Sequence, residues 1–174
     1  YELGYLYDRG LGVKKDTEIA LKWFKKAANQ NDSYALFEIG NIHLYDKNNS
    51  EEAFKYYLKA AELGNPYAQT DLGLLYEFGN GVEQSYFEAF RWYSKAAEQD
   101  ALLANTNLAY MYFDGLGVKQ NYEKAFEWFS KGAKKGDTLS QEQLGQTYNY
   151  GNGVEQDYEK GFYWNKKAAD KGDK

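Results

Sequence analysis

Trp92, Trp128 and Trp164 lie 36 residues apart, and most of the chain keeps step with them. Gly73, Ala109 and Gly145 share the interval, as do Tyr76, Tyr112 and Tyr148. The segments "GNGV" at 79, "GLGV" at 115 and "GNGV" at 151 fall in phase. Further copies are "LGYLYDRGLGVKKDTEIALKWFKKAA" from Leu3 and "ALFEIGNIHLYDKNNSEEAFKYYLKAA" from Ala35. The last is three loop residues short, lacks the glycine pair, and has His43 in the tyrosine slot and Tyr56 in the tryptophan slot. A period of this length means that each copy is one supersecondary unit, able to bury its apolar face only by stacking on its neighbours. Five copies, at about 1–31, 32–64, 65–100, 101–136 and 137–172, predict an all-α solenoid in one domain, the first copy lacking its start.

Each copy reads as two helices. In the third, Asn65 caps, Pro66 suits the first helical position, and the helix runs to about Phe78. Gly79 and Gly81 break it, and Ser85 with Glu88 forms a capping box for the next helix. The corresponding caps elsewhere are Asp16, Asn49, Asn121 and Asp157. Between copies, Asn31, Gly64, Asp100, Gly136 and Gly172 tolerate the left-handed backbone that ends a helix. The next slot, Asp32, Asn65, Ala101, Asp137 and Asp173, caps in four cases, and Ala101 predicts fraying. The tryptophans are expected to fill the gap left between paired helices that small residues three positions earlier on the same helix, Ala20, Ala89 and Ala125, allow to approach.

A glycine pair can mark a phosphate-gripping loop. Here it follows a helix rather than a strand, and no third glycine completes a dinucleotide fingerprint. Its recurrence at one structural step makes it a joint. Acids cluster in the first turn of the second helices (Glu18, Glu51, Glu88, Glu123, Glu159) and lysines in the last, where the helix dipole favours each.

The pattern A-x-x-x-L-G-x-x-Y-x-x-G-x-G-V-x-x-[DN]-x-x-x-A-x-x-W-x-x-K-A-A, most complete in "AQTDLGLLYEFGNGVEQSYFEAFRWYSKAA" from Ala68, resembles the Sel1-like repeat, a relative of the tetratricopeptide repeat. The resemblance covers essentially the whole chain. Departures are Ala109 for glycine, Gly161 and Ser140 for alanine, and the short second copy. It implies a right-handed superhelix of antiparallel helix pairs, used mostly as a protein-binding scaffold.

On the wheel of each first helix, the repeated leucine, tyrosine and alanine share one side. The opposite side varies between copies, and in tetratricopeptide relatives the matching positions line the concave groove. Those positions are Tyr5, Asp8 and Arg9; Tyr34, Phe37, Asn41, Leu44 and Tyr45; Tyr67, Thr70, Leu74, Glu77 and Phe78. The last two copies add Leu103, Thr106, Tyr110, Phe113 and Asp114, then Leu139, Glu142, Gln146, Asn149 and Tyr150. Nine of these 23 are aromatic and four are acids against one arginine, so the face predicts a protein or peptide partner, a basic one by charge. The same rings could instead fold against neighbouring copies, and sequence leaves both readings open.

The other functional classes fare worse. The net charge of −5 disfavours nucleic acid, and no apolar stretch is long enough to span a bilayer. Without cysteine there are no disulfides, zinc thiolates or thiol nucleophiles, which counts against the β-lactam-binding, cysteine-rich relatives. S-x-x-K, G-x-S-x-G and H-E-x-x-H are absent. His43 occupies a packing slot, and Glu51 and Glu52 point about 100° apart. No enzyme activity and no cofactor or metal are expected. Resemblance also allows a toxin-immunity role or a cell-envelope, peptidoglycan- or glycan-associated one, since tyrosine faces stack on sugars. Nothing assigns a compartment. Tyr1 falls inside a helix and "GDK" behind one, so further repeats or end-to-end self-association are expected.

Overall fold

A computed structural model describes residues 1–172 of the chain; Asp173, read as a cap, lies outside the described residues. Ten α-helices and no strand appear among them. They are α1 (Glu2–Arg9), α2 (Thr17–Ala28), α3 (Ser33–Asn41), α4 (Ser50–Glu62), α5 (Pro66–Phe78), α6 (Tyr86–Glu98), α7 (Leu102–Asp114), α8 (Tyr122–Lys134), α9 (Thr138–Tyr150) and α10 (Tyr158–Gly172). A π-helical turn, Ile42–Asp46, extends α3. The chain divides into two compact units, Tyr1–Ser85 with α1–α5 and Tyr86–Lys174 with α6–α10.

In the first unit, paired helices touch because one of them gives up a side chain. A Cβ on Gly4 would lie 2.7 Å from the Phe24 ring, and one on Gly40 would lie 2.5 Å from Tyr57. Both rings are fully buried. Phe24 joins Ala20, Leu21, Ala35, Ile39 and Ile42 in one core. The helices of successive repeats meet through Phe54, whose ring stands edge-on to Tyr76 at 5.4 Å. In the second unit Phe90–Tyr112 and Phe126–Tyr148 repeat that contact at the same 5.4 Å. Ala109, Ala125, Phe129, Ala133 and Leu144 form the core there. Ser140 fits its alanine slot by sharing a 2.7 Å hydrogen bond with Thr106, in space that Gly132 leaves open.

The tryptophan expectation is corrected. In the first four repeats the residue after the tryptophan slot fills the core: Phe24, Tyr57 (behind Tyr56), Tyr93 and Phe129 are fully buried, whereas Asn165 follows Trp164. Of the tryptophans only Trp92 is buried, and each is covered by a lysine three residues on. Lys26, Lys95, Lys131 and Lys167 lie 4.3, 4.2, 4.8 and 4.8 Å from the centroids of Trp23, Trp92, Trp128 and Trp164.

The glycine pair is a joint. Gly79 and Gly81 have φ of 67° and 74°, and a Cβ on Gly81 would collide with the backbone of Ser50. Gly117 and Gly153 stand likewise against the backbones of Tyr86 and Tyr122. The amides of Asp16, Ser85, Asn121 and Asp157 then donate to the carbonyls of Tyr7, Tyr76, Tyr112 and Tyr148, nine residues back, at 2.8–2.9 Å. The short second repeat keeps this closure: Asn49 N–H donates to His43 O at 2.8 Å, six residues back, because the π-helical turn takes up the slack.

Caps fall where the sequence puts them. Asp16, Asn49, Asn121 and Asp157 accept from the backbone three residues on, as Asp32, Asn65 and Asp137 do in their helices. Asn31, Gly64, Asp100 and Gly136 take φ of 62°, 87°, 63° and 93°, whereas Gly172 is the last residue of α10. Ala101 makes no side-chain cap, yet its φ/ψ of −62°/118° matches Asn65, α7 starts at Leu102, and Asn105 N–H donates to Ala101 O at 3.1 Å, so the expected fraying does not occur. Asp at 101 supplies the absent acceptor, and Ala101→Asp should stabilise the fold by about 1 kcal/mol in chemical denaturation.

A second correction of a local mismatch is available four residues on. Gln69 and Gln141 are buried and donate at 3.1 Å to Ala61 O and Ala133 O, tying each first helix to the end of the preceding one. Asn105 holds the same slot, fully buried, one methylene short, and neither side-chain atom has a hydrogen-bond partner. Asn105→Gln is expected to restore the bond and raise stability by about 1–2 kcal/mol, read as a higher denaturation midpoint at unchanged slope.

Candidate functional site

In the first unit the variable face carries a row of rings. Tyr1, Tyr34 and Tyr67 follow one another at centroid separations of 6.3 and 6.4 Å. Tyr34 and Tyr67 are about half exposed, while Tyr45 and Phe78 are 73% and 70% exposed. Other aromatic members of the face are packed. Phe37 is half-buried between Tyr57 and Tyr67, at 5.7 and 5.9 Å, and Tyr5 is half-buried under the Arg9 guanidinium at 5.7 Å. The rings of this face thus divide between exposed ones and ones packed within the unit.

Thr70 does not belong to an accessible surface. It is buried, its hydroxyl donating to Pro66 O at 2.8 Å on its own helix. Thr106 in the second unit is also buried, hydrogen-bonded with Ser140 and donating to Asp137 at 3.0 Å. Thr106 is covered by the following first helix, through Ser140 and its cap Asp137. Asp8, too, is buried, 3.3 Å from Arg9.

Elsewhere in the second unit, Leu103, Leu139 and Tyr150 are exposed. Asp114, Glu142 and Gln146 are exposed beside them, and Asn149 is half-buried with its carbonyl accepting from Gln156 at 2.7 Å. Tyr110 and Phe113 are half-buried against Phe129, at 5.1 and 6.4 Å. Glu77 is half-buried and its carbonyl accepts from Gln84 at 2.7 Å, a clamp that Gln120 repeats on Phe113 O at 2.8 Å.

One group was missed by the periodicity argument. The residue two before the glycine or alanine slot is polar in every copy: Glu2, Glu38, Asp71, Asn107 and Gln143. In the first unit Glu38 is part of a continuous polar chain. Tyr57 donates to Asn41 Oδ1 at 2.7 Å, Asn41 Nδ2 donates to Glu38 Oε2 at 3.1 Å, and Arg9 Nη2 stands 4.0 Å from Glu38. Asp71 comes next in that column. It lies in a cleft of about 450 Å³ with Leu44, Tyr45, Leu74, Leu75 and Phe78, a volume within the range of ligand sites.

Asp71 makes no hydrogen bond or ion pair among the described residues, and burial holds its carboxyl at about 6, against an ordinary 3.8. A roomier cleft of about 600 Å³, lined by Lys25, Leu36, Tyr56 and Lys59 among others, involves none of the variable-face residues. His43 stacks on Tyr56 at 5.4 Å with 11° between planes, and burial lowers its pKa; it packs as an aromatic. No group of three or more potential metal ligands and no helix long and apolar enough to cross a membrane occurs among the described residues.

Repeated helix pairs joined by glycine turns, with one packed and one variable side, define a helical-repeat solenoid of five repeats. The chain belongs to the Sel1 repeat family, whose model matches residues 1–32, 33–65, 66–100, 102–137 and 138–173. Sel1 repeats generally serve as non-catalytic scaffolds for protein interaction.

Among solved structures it is similar to c5321, a protective antigen of uropathogenic Escherichia coli displaying an SLR fold, with TM-score 0.92 and 37% identity over 99% of this chain and 38% of that one. A Sel1 repeat protein from Oxalobacter formigenes matches with TM-score 0.89 and 38% identity, over 98% of this chain and 69% of that one. Helicobacter pylori cysteine rich protein B matches at TM-score 0.57 and 29% identity, over 71% of this chain and 91% of that one; the cysteines of its name have no counterpart here. A putative sel1-like repeat-containing protein of Acanthamoeba polyphaga mimivirus shares 47% identity over 36 residues, 21% of this chain. The chain spans 38% of the Escherichia coli antigen and 6% of the viral relative.

The raised Asp71 pKa has a stability consequence. Below about pH 4 the carboxyl is protonated in both states and costs nothing. As pH climbs to about 6 the unfolded chain ionises first, and above that the full penalty stands, about 3 kcal/mol for a shift of this size. Asp71→Asn should therefore raise stability by about 1–3 kcal/mol at pH 8 and leave it unchanged at pH 3.5, as followed by denaturant unfolding across pH.

Proposed function

We propose that the chain is a non-enzymatic binding scaffold whose variable first-helix face receives a peptide, loop or helix of a protein partner. The exposed Tyr34–Tyr67 pair, with Tyr45 and Phe78 beyond it, carries the reading. Large rigid rings left in solvent on a helix face supply contact area at low entropic cost, as at binding surfaces generally. Acids at the variable first-helix positions, Glu77 in the first unit and Asp114 and Glu142 in the second, favour a basic partner.

Half-buried Phe37, Tyr110 and Phe113 are poor probes, since their removal opens the core. Exposed rings avoid that difficulty. A photocrosslinker at position 67 should capture a partner in source cells. Tyr34→Ser with Tyr67→Ser should then weaken that partner's binding at least tenfold at unchanged helical circular dichroism. Affinity should also fall as salt rises from about 50 to about 500 mM. Undiminished binding by the double variant rejects the face, and salt-independent binding points to stacked sugars instead.

A further inference from the structure

The repeat register gives Asp71 a counterpart with a known partner. Glu38 occupies the same slot one repeat earlier, and facing it, five residues past Gly4, is Arg9. The Arg9 guanidinium lies 4.0 Å from Glu38, 3.3 Å from Asp8 and 5.7 Å over the Tyr5 ring. One repeat on, the carboxylate is Asp71, and the residue five past Gly40 is Tyr45. The arginine's register is thus filled by a ring, 73% exposed, on the wall of the Asp71 cleft. Asparagine would fit Asp71's place without the cost of a half-buried carboxylate that no cation faces, so packing does not explain the carboxylate. Such costs are characteristic of sites kept for function.

We propose that this cleft seats an arginine side chain of a peptide partner, with its guanidinium on Asp71 and its stem and an adjoining apolar residue on Leu74 and Phe78. This rests on the scaffold reading and specifies the partner's chemistry. Arginine suits the site better than lysine. It is less strongly hydrated, can pair both oxygens of a carboxylate, and stacks on a ring, as Arg9 does on Tyr5. A cleft of about 450 Å³ has room for the arginine and its apolar neighbour.

The test is an NMR titration of the whole chain with the peptide Ac-Ala-Leu-Arg-Leu-Ala-amide and its glutamine analogue. The arginine peptide should bind roughly tenfold tighter, with shifts centred on Tyr45, Leu74 and Phe78. Asp71→Asn should abolish the preference while remaining folded. Tyr45→Arg, which restores the Arg9 register, should weaken the arginine peptide in the same way. The preference should fade as pH drops through about 6, where Asp71 takes up a proton. The phenols facing it, Tyr45 and Tyr57, are pushed upward and stay neutral there, and the adjacent Ser50 and Asn80 do not titrate.

Equal affinity for the two peptides, a preference that survives Asp71→Asn, or no shift in the cleft at about 5 mM peptide overturns the proposal. A captured partner that needs Tyr34 and Tyr67 but tolerates Asp71→Asn leaves the scaffold standing without the arginine seat. A partner indifferent to all of them removes both.

Discussion

A ring pressed into a notch is the contact on which the rest of the structure depends. Phe24 over Gly4 and Tyr57 over Gly40 bring paired helices closer than any side chain at the glycine would allow. At that spacing the small residues of the second helix, Ala20 and Ala53, are fully buried, and the short glycine loop can span the pair. The loop in turn presses its second glycine onto the start of the preceding second helix, as Gly81 does on Ser50. Closing one hairpin thereby sets the seat for the next, which is why repeats of this kind stack in a fixed register. The variable face needs none of these contacts, so it is free to diverge.

The final repeat shows what the notch requires. Asn165 stands where the other repeats carry the buried ring, and a Cβ on Gly145 would still collide with it. Gly161, in the alanine slot, is similarly close to Asn149. A polar side chain and a second glycine together reproduce the approach that an aromatic ring and an alanine give elsewhere. The conserved quantity is the separation of the helices, and the residue types are two ways of meeting it.

Period, caps and joints were legible in the sequence because each rests on a local rule: small residues at close approaches, Asn or Asp at helix starts, glycine where φ is positive. Which of two adjacent repeated aromatics faces inward was not. Trp23 and Phe24 recur together, and a period fixes that one of them packs without saying which. The wheel likewise placed Thr70 and Thr106 on the open side by angle alone, whereas both are buried. Asp71 escaped notice for another reason. Its slot holds Glu, Asp, Asn and Gln in different copies, so neither identity nor hydrophobicity marked it.

One departure from the period reshapes a whole turn. The second repeat has lost its glycine loop, and the π-helical turn Ile42–Asp46 replaces it, carrying Leu44 and Tyr45 to the wall of the Asp71 cleft. Irregular helical turns of this type recur at functional sites because they re-aim side chains that an ordinary helix would point elsewhere. A regular loop here would have kept the joint seen in the other repeats. The deletion therefore exchanges a uniform stacking element for a local concavity beside a half-buried carboxylate. A shortened loop that keeps its closing hydrogen bond, from Asn49 to His43, preserves the scaffold while its inner turn lines the cleft beside Asp71.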